Sequence, residues 1–412
     1  MKNFDLTNHV SDREELARIA VGVMMIRGLE PEFSFQVKEQ LNQIDSPAMS
    51  RDSSILDLRS LPWCSIDNDD SKDLDQLTVT KKSVGGGWNL LVAIADVDSL
   101  VGLGTPIDEH ALKNTRSVYT SARVFPMLPL RLSNNLSSLN PGQDRLALVC
   151  DMHFSGEGVL EKFFIYRAWV HNRAQLAYDN VSEWLEGKVP LPEMAIKVSG
   201  LDAQLKKQDQ LAQILRLRRH ESGSLEFDIF QPRARFYRDS IEEIKQQPHN
   251  RARQLIEEFM IAANTCTAQF LAHHGHASLR RVVRSPERWQ RIVALAATYD
   301  EHLPPEPDSS ALETFLAKRH KADPVRFPDL SLIVVKLMGS GEYVVERANS
   351  EAIGHFGLSV RDYTHSTAPN RRYPDLVTQR MIKSVLMGAP APYNSAELES
   401  LALHCTQQED AA

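Results

Sequence analysis

The sequence has no long apolar run and no recognisable leader. Nowhere in its 412 residues does an apolar stretch approach the ~20 residues that a bilayer-spanning helix needs. The first 19 residues, MKNFDLTNHVSDREELARI, carry acidic side chains early and contain no apolar segment of the kind found in signal peptides. We therefore expect a cytoplasmic protein that does not associate with membranes.

Cysteine is scarce. The sequence contains four cysteines, and none of them forms a C-x-x-C pair. This spacing excludes the disulfide framework of a small secreted domain and the common zinc motifs. We interpret the four as reduced, buried thiols: Cys64, Cys150, Cys266 and Cys405.

The chain also lacks the net positive charge expected of a nucleic-acid-binding protein. Its 47 basic and 54 acidic residues give a formal charge of −7. The local distribution is more informative than the sum, because arginines fall in clusters that could line a channel for a phosphate backbone. Scattered surface solvation explains any single arginine equally well. The clusters lie at 216–219, 233–238, 251–253, 280–284 and 361–380.

The most informative segment is short and acidic. It reads SIDNDDSKDLDQL, and nine of its residues include five carboxylates. Like charges at this density repel each other and raise each other's pKa. A fold that holds them together therefore requires a counter-charge, and a hard divalent cation is the usual one. The five residues are Asp67, Asp69, Asp70, Asp73 and Asp75.

Three interpretations of this acidic segment are available. An acidic run is most often a solvated surface loop. A calcium-binding loop needs Gly at its sixth position and Glu at its twelfth, and here those positions hold Lys72 and Thr78, which excludes it. The third interpretation is a catalytic site in which two magnesium or manganese ions, about 4 Å apart, activate water and hold a phosphate. The segment alone leaves the first and the third open.

The acidic segment resembles the metal-binding motif of the ribonuclease II / ribonuclease R family, the RNB-domain exoribonucleases. In that family an Asp is followed six residues later by D-x-D-D. Asp67, Asp73 and Asp75 match the first three acidic positions, and Gln76 stands where the last Asp is usual. Glutamine is neutral but keeps a carbonyl oxygen that can ligate a hard metal, so the departure bears on metal affinity more than on the fold.

Five further segments resemble the family in the family's own order, and the resemblance covers about residues 51–412. Ordered matches of this kind are far more specific than any single motif. In the last segment, Ala368, Asn370 and Gln379 depart from the family pattern. The segments are LVAIADVDSLV (91–101), SVYTSARVFPMLPLRLSNNLSSLNPGQDRLAL (117–148), AQLAYDNVSEWLEG (174–187), IEEFMIAANTCTAQFL (256–271) and HFGLSVRDYTHSTAPNRRYPDLVTQRMIK (355–383).

The resemblance implies a hydrolytic, metal-dependent 3′→5′ exoribonuclease that degrades single-stranded RNA to nucleoside 5′-monophosphates. It assigns Mg²⁺, or else Mn²⁺, to Asp67, Asp73, Asp75 and Gln76. Asp75 falls on the family's essential Asp, and Arg371 would stabilise charge on the phosphate. The RNA-binding positions that it implies are Tyr119, Tyr178, Glu258, Arg372 and Arg380. Nothing in the sequence identifies a protein partner.

Two other functions stay open at this point. Because Gln76 removes one charge from the acidic motif, the chain could be a catalytically weak or inactive RNA-binding protein on the RNB fold. A metal-dependent phosphodiesterase that acts on small molecules is the second alternative, and the number of arginines argues against it. The histidine-rich stretch HHGH at 273–276 is more simply interpreted as a helix end capped by Gly275 than as a metal site.

The pattern of elements predicts an α+β fold of the RNB type, with a twisted sheet surrounded by helices. Residues 1–50 are predicted to form a small helical appendage, which could be part of a helix-turn-helix-like module, and residues 51–412 are predicted to form the catalytic domain. Strand-like runs, including one over 56–63, dominate as far as residue 169. Capping-box spacing predicts helix starts at Ser11, with Glu14, and at Ser310, with Glu313. The later helices are predicted near 200–220, 250–273, 310–320, 374–387 and 395–412.

Two further expectations concern the ends of the sequence. There is no room before residue 51 for the cold-shock-type barrels that many family members carry. The last predicted helix reaches Ala412 without a Gly or Pro stop signal. We expect the catalytic domain to be incomplete there, with the family's C-terminal RNA-binding barrel lying beyond it.

Overall fold

The computed structural model describes residues 11–83, 85–228, 232–237, 240–246, 250–347 and 350–412. The first ten residues of the predicted appendage lie outside these ranges. So do the side chains of the arginine cluster at 233–238.

A seven-stranded mixed sheet forms the centre of the molecule. Its strands are β1 (Leu56–Asp57), β2 (Cys64–Asp67), β3 (Gln76–Lys82), β4 (Trp88–Ala95), β7 (Asp144–Phe154), β8 (Leu160–His171) and β9 (Ala174–Ala177). They are arranged in the order β1-β8-β7-β4-β3-β2-β9. The two edge strands β1 and β9 pair in parallel with their neighbours, and all other pairs are antiparallel.

Three two-stranded ribbons stand apart from this sheet in the described part of the chain. They pair β5 (Val118–Tyr119) with β6 (Val124–Phe125), β10 (Pro232–Tyr237) with β11 (Ser240–Gln246), and β12 (Ser278–Val282) with β13 (Glu342–Glu346).

Helices cover the sheet. They are α1 (Asp12–Ile26), α2 (Phe35–Asn42), α3 (Pro106–Asn114), α4 (Tyr178–Leu185), α5 (Glu193–Ile196), α6 (Leu201–Glu221), α7 (Arg251–His273), α8 (Trp289–Ala297), α9 (Ser309–Ala322), α10 (Phe327–Met338), α11 (Tyr373–Leu386) and α12 (Ser395–Ala411). The helices α6 and α7 pack on each other and on the central strands. Because β4 is buried along nearly all of its length, its sequence WNLLVAIA is almost continuously apolar.

A second, smaller apolar core lies among α8, α9 and α10. Trp289, Phe315 and Phe327 are its largest buried side chains, and Val334 is fully buried with them. Leu225, which follows α6, joins this core and so connects it to the main body. The sequence patterns predicted α9 but neither α8 nor α10.

The N-terminal helices pack against the main body at two places. Met24 and Leu29 form a small cluster with Phe125, and Val37 of α2 is buried in the main core. The capping box predicted at Ser11 is present, since the Ser11 hydroxyl accepts from the Glu14 N–H and the Glu14 carboxylate accepts from the Ser11 N–H. A domain boundary near residue 50 stays a prediction.

The predicted α+β class is confirmed, and the helices predicted in the second half begin and end within a few residues of their observed bounds. The strand predicted over 56–63 is wrong: only Leu56–Asp57 is extended, and the strand before the acidic segment is β2. Gly275, with φ +75°, follows the end of α7, as the capping interpretation of HHGH requires. None of the helices described here is both long enough and apolar enough to cross a bilayer.

The capping box predicted at Ser310 is also wrong. The N-cap of α9 is Asp308, whose carboxylate accepts from the Ala311 N–H at 2.9 Å. Ser310 is already inside the helix. Both Asp and Ser are good N-cap residues, so the sequence pattern could not separate two candidates that lie two positions apart.

We predict that Asp308→Ala lowers the free energy of unfolding by about 1 kcal/mol, because the first turn of α9 loses its side-chain cap. Ser310→Ala, the matched control, should have almost no effect. Denaturant unfolding of the two variants measures the difference. Equal losses for both, or a loss confined to Ser310→Ala, would contradict this assignment of the N-cap.

Candidate active site

The strand register brings the first acidic residue beside a tyrosine. In the parallel pair of β2 and β9, Asp67 lies opposite Ala177, and Tyr178 follows directly as the first residue of α4. The chain then returns through the acidic segment into β3, which begins at Gln76 next to β2. Residues separated by more than 100 positions are therefore placed together at one end of the sheet.

The acidic segment is anchored and not a free surface loop. The Ser138 hydroxyl accepts from the Leu74 N–H at 2.9 Å and donates to the Lys72 carbonyl at 2.8 Å. The Leu139 N–H donates to the Leu74 carbonyl at 2.9 Å. These bonds give a physical role to the stretch LSNNLSSL (132–139) within the second matched segment, because its last Ser and Leu hold the acidic segment against the sheet.

Asp75 is the most enclosed carboxylate of the segment, at 2% exposure. Its Oδ1 accepts from the backbone N–H of Asn370 at 3.0 Å. Its Oδ2 is buried without a hydrogen-bond partner among the described residues and lies 3.7 Å from the Nε of Arg371. Burial raises the pKa of Asp75 to about 8, although the Arg371 charge opposes this rise and Asp73 adds to it.

Asp67 has a similar environment. Its Oδ1 accepts from the Gln76 amide at 3.0 Å, and its Oδ2 is buried with no hydrogen-bond partner in the part of the chain that the structure describes. Burial raises the pKa of Asp67 to about 7 against the opposing effects of the Gln76 hydrogen bond and the Arg371 charge. Two carboxylates of one segment are thus held where ionisation is costly without a cation.

The third matched carboxylate, Asp73, is half-buried and contacts a predicted RNA-binding residue. The Tyr119 hydroxyl donates to Asp73 Oδ2 at 2.9 Å. Tyr119 itself is 52% exposed, so its ring is available to a ligand. The remaining two carboxylates, Asp69 and Asp70, are exposed on the turn.

Arg371 is placed by its backbone. The Arg371 carbonyl accepts from the Ser117 N–H at 2.9 Å. Two residues later, the Tyr373 N–H donates to the Thr115 carbonyl at 2.7 Å. The segment that carries Arg371 is therefore joined to the segment that leads to Tyr119. The guanidinium is 45% exposed. Its charge opposes the rise in pKa of several groups and so lies within electrostatic range of them, among them Asp67, Asp75, Tyr119 and Tyr178.

Arg372 points to the other side and holds the loop. Its guanidinium donates at 2.7 Å to Asp375, which is fully buried and also accepts from the Ala368 N–H at 2.8 Å. Asp375 thus ties both ends of the turn that presents Arg371. With a side chain 20% exposed, Arg372 has a structural role here, and its contact with RNA stays a prediction.

Arg380 is not available to RNA in this structure. Its side chain is 3% exposed and pairs with Asp98 at 2.9 Å and with Asp108 at 2.7 Å. It also donates to the Tyr393 hydroxyl at 2.8 Å and to the Val101 carbonyl at 2.9 Å. These partners occupy the guanidinium and contradict a direct RNA contact. We assign Arg380 the role of joining α11 to α3 and to the turn after β4.

Glu258 lies apart from the acidic segment. It is buried on α7 and forms two hydrogen bonds with Arg219, at 2.5 and 3.0 Å. Both residues line a cavity of about 350 Å³ together with Glu257 and His355. The exposed Glu257, next to Glu258 on α7, is a second candidate for a ligand contact in this cavity.

The acidic residues suit a hard divalent cation in their chemistry but do not form a complete ligand set. Asp67 and Asp75 each offer a buried oxygen that has no hydrogen-bond partner among the described residues, and Asp73 is within electrostatic range of both. Over the same part of the chain, no three His, Cys, Asp or Glu side chains are already grouped as metal ligands. The Gln76 amide donates to Asp67 where the family's fourth acid would stand.

Two contacts of the site were not predicted from the sequence. Asn370 supplies the N–H that fixes Asp75, although only its departure from the family pattern had been noted. Arg253 stacks on the Tyr178 ring, with its guanidinium carbon 4.5 Å from the ring centroid. No sequence signal identifies this contact, because it depends on how α7 packs against α4.

Comparisons with known proteins give a consistent result. A family model described as the RNB domain matches residues 55–388. Ribonuclease R of Vibrio cholerae is 37% identical over 340 residues, which cover 80% of this chain and 40% of the relative. The chain spans about half the length of the curated relatives that it matches.

Comparison with solved structures gives the same result as the sequence comparisons. The fold is similar to the apo form of Mycoplasma genitalium RNase R, with a TM-score of 0.85 and 26% identity over 97% of this chain and 62% of that chain. It is similar as well to that protein in complex with ribose-methylated single-stranded RNA, with a TM-score of 0.84 and 25% identity over the same shares of the two chains.

We predict that Asp75→Asn stabilises the metal-free protein at alkaline pH. Since the pKa of Asp75 is raised from 3.8 to about 8, its favourable contribution to stability is fully present below pH ~4 and is lost as the pH rises through about 8. Asparagine keeps the oxygen that accepts from Asn370 and carries no charge. The variant should therefore gain roughly 1 °C in Tm at about pH 8 for each kcal/mol of stability recovered.

Thermal unfolding in chelator across this pH range measures the gain. Asp70→Asn, which removes an exposed carboxylate from the same turn, is the matched control and should show no such gain. A difference between Asp75→Asn and wild type that does not change with pH would contradict the burial of a costly charge.

Proposed function

The chain belongs to the RNB-domain family, and we propose that it is a hydrolytic 3′→5′ exoribonuclease that releases nucleoside 5′-monophosphates from single-stranded RNA. One observation carries the proposal most directly: Asp67 and Asp75 each have one buried carboxylate oxygen without a hydrogen-bond partner among the described residues, and both lie within electrostatic range of the exposed Arg371. The similarity to proteins named Ribonuclease R supports it.

RNB exoribonucleases generally depend on divalent metal ions, and we propose Mg²⁺, with Mn²⁺ as the alternative. Asp67, Asp73 and Asp75 would hold the ion or ions, with the Gln76 carbonyl oxygen as a neutral ligand. Bound at this position, the metal supplies a coordinated water of lowered pKa and polarises the phosphate.

The chain's own residues have separate tasks in this proposal. Arg371 lies in the open part of the site and stabilises the negative charge that develops on the phosphate. Tyr119, donating to Asp73, fixes that carboxylate and offers an exposed ring near the 3′ end of the RNA. Tyr178, beside Asp67, would contact the terminal nucleotide and could read the 2′-hydroxyl of its ribose. Glu258 and Arg372 stay proposed RNA contacts.

The cysteines bear on the cell compartment. We propose that the protein acts in the cytoplasm, because its four cysteines are free, buried thiols, as expected in a reducing environment. We propose single-stranded RNA as the partner.

The direct test is to incubate 5′-labelled single-stranded RNA with the protein and Mg²⁺ and to separate the products on a denaturing gel. We expect a ladder that shortens from the 3′ end. The ladder should be absent in chelator, and Asp75→Asn should reduce the rate by about 10² or more, because it removes a charged ligand of the reacting centre. Asp70→Asn, the matched control, should retain the wild-type rate within a few-fold.

The competing function is RNA binding without catalysis, which the neutral Gln76 and its pairing with Asp67 would favour. Intact RNA under every condition, together with a measurable gel shift, would support that alternative and contradict the exonuclease. Cleavage that persists in Asp75→Asn would point to a contaminating nuclease.

We predict that Gln76→Asp lowers the Mg²⁺ concentration needed for half-maximal activity by several-fold, because it adds a charged oxygen ligand next to Asp67. The same change should lower the Tm of the metal-free protein. Titration of activity with Mg²⁺ measures the first effect. The contradicting result would be an Asp70→Asn variant whose Mg²⁺ requirement rises by the same factor. The total negative charge of the loop, and not a ligand at position 76, would then explain both changes.

A further inference from the structure

We propose that Arg253 is a second phosphate-binding residue of this site, which acts with Arg371 to hold the backbone of the bound RNA. The inference rests on the proposed function, since it assigns an additional contact to the same substrate. It concerns a residue on α7 that none of the matched motif positions includes.

The position of Arg253 is fixed by the packing of α7 against α4. Asn250 caps α7, and its side-chain oxygen accepts from the Arg253 N–H at 2.9 Å. The Asn250 amide donates to Asp179 at 2.7 Å, and Asp179 directly follows Tyr178. One asparagine therefore joins the first turns of both helices and sets the guanidinium over the tyrosine ring.

The guanidinium bridges the acidic segment and the tyrosine. Its Nη2 donates to the side chain of Asn68 at 2.6 Å, and its carbon lies 4.5 Å from the centroid of the Tyr178 ring. Asn68 follows Asp67 directly in the sequence. The charges of both Arg253 and Arg371 act on the Tyr178 hydroxyl, so the two arginines lie within electrostatic range of one point in the site.

Arg253 has donors left for a ligand. A guanidinium carries five N–H donors, and Asn68 accepts from one of its nitrogens. Its Nε is buried without a hydrogen-bond partner in the ranges that the structure describes. Within those ranges, no carboxylate oxygen comes within 4.0 Å of it, whereas the neighbouring Arg251 forms two bonds of 2.7 Å with Asp209.

Two other largely enclosed arginines have carboxylate partners, as Arg251 has. Arg219 is bonded to Glu258, and Arg380 is bonded to Asp98 and Asp108. A guanidinium that instead lies over an aromatic ring and bonds a neutral amide keeps its charge available to an anion. Arginine in this setting suits phosphate, because its planar fork can donate two parallel hydrogen bonds.

The charge balance of the acidic segment agrees with this role. Gln76 leaves the segment with one negative charge fewer than the D-x-D-D pattern has. A second cation beside Asp67 would therefore attract the RNA backbone more strongly here than beside a fully acidic motif. Together, the neutral Gln76 and the cationic Arg253 would make arginine contacts a larger part of phosphate binding at this site.

The test is equilibrium binding of a short fluorescein-labelled single-stranded RNA in chelator, where cleavage is absent, followed by anisotropy at several salt concentrations. Loss of one phosphate contact should reduce the slope of log K against log salt by about 0.7. We expect this reduction, and roughly tenfold weaker binding, for Arg253→Gln. Arg288→Gln, at the N-cap of α8, removes an exposed arginine and should leave slope and affinity unchanged.

Two further variants separate the role of the charge from that of the geometry. Arg253→Lys keeps the charge but loses the planar fork, so the slope should stay near the wild-type value while affinity falls a few-fold. Asn68→Ala removes the anchor and leaves Arg253 in place, so it should behave like Arg253→Lys. These two variants keep the proposal open to refutation even if Arg253→Gln fails to fold.

The outcomes are distinguishable. Wild-type binding with the same slope and affinity in Arg253→Gln and Arg288→Gln would overturn the role of Arg253 and leave the proposed function intact. An unchanged affinity in both Arg253→Lys and Asn68→Ala would overturn it as well. If the wild-type protein neither binds nor degrades RNA, both the proposed function and this inference are wrong.

Discussion

The site depends on the confinement of two carboxylates where water cannot solvate them. Asp67 and Asp75 are held by hydrogen bonds to one oxygen each, and the second oxygen of each is buried with no hydrogen-bond partner among the described residues. Ionisation of these buried carboxylates destabilises the fold, and the same burial raises the pKa of Asp67 to about 7 and that of Asp75 to about 8. A cation bound between them would offset this destabilisation, so stability and metal binding are coupled.

Hydrogen bonds from distant parts of the chain keep these carboxylates in place. The Asn370 N–H fixes Asp75, and Ser138 anchors the acidic segment. Asp375 ties the turn that presents Arg371, whose carbonyl also pairs with the segment leading to Tyr119. Because every anchor comes from a different part of the chain, the site exists only when the whole sheet and α11 are assembled.

Sequence motifs identified the main candidate residues of this site but not the contacts that these residues make in the fold. Asp67, Asp75 and Arg371 stand in recognisable motifs, and the structure brings them together. Arg380 also stands in a motif, but the carboxylates that occupy it lie about 280 positions away, so only the tertiary structure reveals its burial. The stacking of Arg253 on Tyr178 is equally invisible in the sequence. Local patterns identify the elements and the motif residues, whereas packing between distant elements decides which side chain is free.

Calorimetric titration of the metal-free protein with Mg²⁺ at about pH 7 tests this coupling most directly. With Asp67 and Asp75 partly protonated at that pH, Mg²⁺ binding should release protons, and the heat should therefore vary with the ionisation enthalpy of the buffer. Asp75→Asn should abolish both binding and proton release. Mg²⁺ binding that releases no protons, or that survives in Asp75→Asn, would contradict the account.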